Sequence, residues 1–102
     1  DEVFIHPVFE ESVHPVLRTD FKRIDSNFPM QYGRGWRHPE GSSLAGWVKT
    51  AEQSPIVYLQ FGHDAKAWEN PALRTLIGNS IRWAASKEAL AWAAANKTAI
   101  FK

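Results

Sequence analysis

Alternation of apolar and polar positions marks the first stretch of the chain. In residues 2–9 (EVFIHPVF), Val3, Ile5 and Pro7 fall on one side and Phe4, His6 and Val8 on the other, a period of two that predicts a strand. Pro7 has no N–H to give to a ladder, so this is an edge strand or a strand end. Residues 10–19 read as a connection, in which Pro15 biases His14 toward an extended backbone. Residues 20–28 (DFKRIDSNF) predict a short strand that runs into a turn and stops at Pro29. Residues 30–43 carry Gly33, Gly35, Pro39 and Gly41 and read as a long loop, a type often used for function. Two further strands are predicted over residues 44–50 (LAGWVKT) and 55–61 (PIVYLQF). The short turn between them makes the pair antiparallel. The nearly continuous apolar run of residues 55–61 suits burial on both faces.

Beyond residue 61 the period changes. Residues 62–70 (GHDAKAWEN) read as a loop, and Asn70-Pro71 is a helix start, with Asn as N-cap and Pro in the first turn. Leu73, Leu76, Ile77, Ile81 and Ala84 recur at helical spacing, which predicts a helix to residue 85 with one stripe on the sheet. Gly78 within it suggests close packing against a neighbour. Ser86 caps a second helix over residues 87–95, which Asn96 stops. With a single long helix to cover the sheet, the order resembles the last third of a larger α/β domain, and one sheet face needs cover from elsewhere.

Composition narrows the function classes. The 102 residues hold one domain at most, and 44% hydrophobic with 23% charged residues is ordinary for a globular chain. The net charge of +1 comes from scattered Lys and Arg, without the basic face that phosphate neutralisation requires, so nucleic acid is not an expected partner. No apolar stretch approaches a membrane span and no signal peptide is visible, so no membrane partner is expected either. The absence of cysteine excludes disulfides, thiolate metal sites and a Cys nucleophile. It leaves the compartment open between the cytoplasm and export from a bacterium. The start at Asp1, without an initiator Met, reads as a processed or excised piece.

Residues 56–85 read IVYLQFGHDAKAWENPALRTLIGNSIRWAA. Gly62-His63-Asp64, Trp68, Asn70-Pro71 and Trp83-Ala84 resemble, in order and spacing, the C-terminal signature of the ThuA-like (trehalose-utilisation) family. Ala45-Gly46-Trp47-Val48 looks like that family's Trp-bearing strand, and His14-Pro15-Val16 is similar to its His-Pro-Ile. Residues 24–28 (IDSNF) stand where the family has an aliphatic-x-Asp-Glu-x-Tyr segment, with Ser26 and Phe28 in place of the Glu and the Tyr. The resemblance covers nearly all of the chain up to Ala85. It implies a partial flavodoxin-like, class I glutamine amidotransferase-like three-layer fold: a mixed sheet with C-terminal helices, as a single partial domain over residues 1–102. Residues 1–61 would supply strands and loops, and residues 62–97 the site loop and the helices. It implies a role in carbohydrate metabolism, on a sugar or oxidised sugar. Amidotransferase chemistry does not follow, because the nucleophilic Cys is absent.

His63 is the best single candidate for chemistry. It follows a strand at its C-terminal end, where open α/β sheets place their sites, and imidazole titrates near neutrality. The catalytic candidates are therefore His63, as acid or base, and Asp25. Asp64, Trp68, Trp36 and His14 are candidates for substrate binding, the indoles as stacking platforms for sugar faces. Each has a plain alternative: His63 as a helix brace, Asp25 as a turn residue, Trp47 and Trp83 as core, Trp92 as a docking anchor. The four histidines have no metal-binding spacing, and nothing in the sequence calls for a cofactor. A sugar or other small molecule is the expected ligand. The missing half of the domain would come from a second copy or a partner chain. A catalytic site should bring His63 and a carboxylate into one concave pocket, whereas a binding module need only expose Trp rings.

Overall fold

A computed structural model describes Phe4 and residues 6–20 and 41–97. A 3-10 turn, Glu10–Ser12, leads into strand β1 (His14–Arg18). Strands β2 (Leu44–Ala51) and β3 (Ser54–Leu59) follow, then helices α1 (Ala65–Glu69), α2 (Pro71–Ala84) and α3 (Lys87–Ala95). The described residues thus form a mixed α/β unit, with a three-stranded sheet in the order β1-β2-β3 that is antiparallel throughout.

The hairpin of β2 and β3 is the backbone of the unit. Its register runs from Gly46 opposite Leu59 to Ala51 opposite Ser54, leaving Glu52 and Gln53 in the turn. Glu52 takes φ 54°, the left-handed region that two-residue hairpins need and Gly or Asn usually fills. The Gln60 N–H donates to the Ala45 carbonyl at 2.9 Å and carries the pairing one residue past β3. The apolar run of β3 does not lie between two layers, as its composition predicts. Among the described residues it is an edge strand, and Ser54 and Ile56 are exposed.

The N-terminal region differs most from the expected order. Residues 6–9 form no strand; Pro7 breaks their ladder, and the His6 carbonyl accepts from the Ser42 N–H at 3.0 Å. The strand lies instead in the expected connection, as β1. Its side chains are nearly all exposed, so its own pattern gives no strand signal. Pairing with β2 makes it a strand, with register shifts after Pro15 and Leu17. The Glu10 carboxylate clamps this region: it accepts from Arg18 Nη2 at 2.7 Å and from Ser42 Oγ at 2.6 Å. The strand expected over residues 20–28, and all of the expected loop except residues 41–43, fall outside the described residues, apart from a bend at Asp20.

The helices pack on one face of the sheet. Cross-strand alternation puts His14, Val48 and Val57 on that face, and Trp92 of α3 meets His14 edge-on at 5.1 Å between ring centroids. Ala89 and Ala93, both fully buried, let α3 approach β2 and β3 closely. Thr50 Oγ1 donates to the Asn96 carbonyl at 2.8 Å and ties the end of α3 to β2. Gly46 is required on this face. A Cβ there would stand 3.1 Å from Leu59 Cδ2 and 3.2 Å from Leu17 Cβ, so its absence lets the outer strands' leucines close over the middle strand.

The expected caps form: Asn70 Oδ1 accepts from the Ala72 N–H, and Ser86 Oγ from the Ala89 N–H. The α2 stripe is narrower than its spacing predicts, because Leu73 is buried while Ile81 is 66% exposed. Gly78 makes no close approach to a neighbouring element. Its Cβ position meets only the Arg82 guanidinium, at 3.5 Å. Trp92 anchors α3 internally, against His14 and, at 5.4 Å, against Trp83. On the opposite sheet face Trp47 stacks on Tyr58 at 4.6 Å, and His6 meets the Tyr58 ring at 6.2 Å.

Candidate functional site

The turn after β3 brings three of the candidate residues together. At Gly62 the backbone takes φ 118°, a conformation that L side chains rarely adopt, and the chain leaves the sheet. Asp64 then caps α1: its Oδ1 accepts from the Ala67 N–H at 2.8 Å. That bond is the main cause that holds the Asp64 carboxyl below its ordinary pKa. One turn of α1 carries Trp68 back over Gly62. The indole N–H donates to the Gly62 carbonyl at 2.9 Å, and a Cβ on Gly62 would stand 3.1 Å from the Trp68 ring. The loop is closed by its own tryptophan, whose residue surface is still 50% exposed.

His63 is exposed at the apex of this loop. His14 lies elsewhere, on β1 against Trp92. Asp25 and Trp36 lie outside the described residues. His63, Asp64 and Trp68 are therefore together, and His14 is apart from them. The Asp64 carboxylate is engaged with the start of α1. The described residues contain no group of three or more His, Asp or Glu side chains able to hold a metal ion, and no helix long and apolar enough to cross a membrane.

A groove of about 500 Å³ opens beside α1. Leu17 of β1, Phe61, and Leu73 and Leu76 of α2 line it, together with Ala67 and Ala72. Lys66 and Asn70, from α1 and its junction with α2, supply its polar groups. Among the described residues His63 does not line it, and neither does any carboxylate. Sequence reasoning misses this groove. Its walls come from β1, from the residue after the Gln60 pairing, and from two helices, and only folding makes them neighbours.

No protein-family model, curated protein or solved structure matches this chain.

Proposed function

We propose that the chain is the C-terminal part of a ThuA-like domain, and that it binds a sugar or oxidised sugar on the loop from Gly62 to Trp68. The supporting observation is the Trp68 ring, half exposed and fixed by its bond to the Gly62 carbonyl next to His63. A fixed indole offers a stacking face at little entropic cost, and its apolar surface matches the C–H face of a pyranose. His63, beside it on the loop, is the polar partner for a hydroxyl.

The geometry favours binding over self-contained catalysis. His63 and a carboxylate do not share a concave pocket among the described residues, and Asp64 spends an oxygen on its helix cap. The three-layer, flavodoxin-like arrangement belongs to the same proposal. It is supported by the thin core, in which Leu44 is the largest side chain below 2% exposure among the described residues. Further layers from the rest of a longer domain would thicken it.

Two-dimensional NMR with trehalose and glucose tests the proposal. Saturable shifts are expected at His63, Asp64 and the Trp68 indole N–H. Trp68→Ala should weaken binding about tenfold, near the upper range for an aromatic stacking contribution. His63→Ala should weaken it while the circular dichroism spectrum is retained. Absence of saturable shifts on this loop sinks the sugar reading, and loss of fold in His63→Ala assigns His63 a structural role.

A further inference from the structure

We infer that the groove between β1, Phe61, α1 and α2 is a second binding site, whose ligand is a medium-length aliphatic carboxylate. Its volume of about 500 Å³ is within the usual range of small-molecule pockets, roughly 300–1,000 Å³. It is far too small for a protein partner. Eight residues line it, against roughly 20–30 on each side of a stable protein interface.

The polarity of the lining selects the chemistry. Among the described residues Lys66 is the only charged one in the lining, and it makes no ion pair or hydrogen bond with any of them. Asn70 accepts the Ala72 N–H through Oδ1, which leaves its Nδ2 as a donor. A cation and a neutral donor thus both line the groove, with no acid among the described lining residues to neutralise them. An anion complements that end, and a carboxylate can accept from both groups.

The rest of the groove is hydrocarbon. Leu73 and Leu76 lie about one and two turns along α2 from Asn70, and line the groove together with Leu17 and Phe61. The distance from Asn70 to Leu76 along the helix is about 9 Å at 1.5 Å per residue. An aliphatic chain of comparable length, with its head at Lys66, fills that span and removes apolar surface from water. A sugar does not fit this end, because its hydroxyls would lose water against leucine and phenylalanine without gaining partners.

Calorimetric titration of the chain with octanoate tests the inference, with 1-octanol as the uncharged control and NMR shifts to locate the ligand. Octanoate should shift Lys66, Asn70, Leu73 and Leu76. It should bind about fivefold more tightly than octanol, the upper range for an exposed ion pair. Lys66→Glu should remove that preference. Leu76→Asp should abolish binding of both, with circular dichroism checking the fold. If Leu76→Asp does not fold, Lys66→Glu alone still decides. Equal affinity for octanoate and octanol, shifts elsewhere, or no binding overturns the inference. So does a light-scattering mass showing a dimer whose dissociation exposes the same residues.

Discussion

Two of the described residues hold positive φ, and they predict opposite responses to substitution. Gly62, at φ 118°, has no room for a side chain, because Trp68 lies over it. Gly62→Ala should cost about 1–3 kcal/mol and displace Trp68, read as a lower urea midpoint together with altered tryptophan fluorescence. Glu52, at φ 54° in the hairpin turn, is an exposed L-residue in a conformation that suits glycine. Glu52→Gly should therefore stabilise the chain by about 0.5 kcal/mol, the relief of left-handed strain less the added chain entropy. A lower urea midpoint in that variant would show that the turn tolerates Glu52 at no cost.

At the scale of elements, the site depends on a helix of a single turn. Such a helix has little stability of its own, so α1 relies on its cap and on packing against α2. The Ala67 N–H bond is the main cause that keeps the Asp64 carboxyl below its ordinary pKa. Folding therefore favours the ionised form. The stabilisation is fully present above the unfolded carboxylate value, about 3.9, and is lost as pH falls through the lower folded value. Thermal melts should show Asp64→Ala less stable than the parent at neutral pH, with the difference shrinking below pH of about 4. A difference that stays constant into acid would mean that the carboxylate charge does not act at the cap. The groove shares this element, since Lys66 lies on α1, so loosening α1 should weaken ligands both at the loop and in the groove.

At the scale of the whole molecule, the described unit is two layers deep, a sheet with helices on one face. Its core rests largely on small residues: Ala45, Ala67, Ala89 and Ala93 are buried, and Leu44 is the one large side chain below 2% exposure among the described residues. Close approach through alanine gives tight packing but little buried area, and area sets the hydrophobic contribution. Leu44→Ala should therefore cost about 3 kcal/mol, a large share of the roughly 5–15 kcal/mol available to a chain of this size. Urea unfolding measures it, and a loss well below 1 kcal/mol would place the principal core elsewhere.

What the sequence determined by itself is local. The hairpin of β2 and β3, the Asn70-Pro71 and Ser86 helix starts and the Asn96 stop are written in nearest-neighbour chemistry: caps, proline geometry and the switch from a period of two to one of 3.6. The clustering of His63, Asp64 and Trp68 was legible for the same reason, because they lie within six residues of one another. Tertiary structure decided the rest. β1 exists through its pairing with β2, β3 is an edge because no fourth strand adjoins it among the described residues, and the groove exists because the fold brings Leu17 and Leu76 into one lining. Each of these depends on contacts between residues far apart in the chain, and a pattern confined to one segment carries no record of what will pack against it.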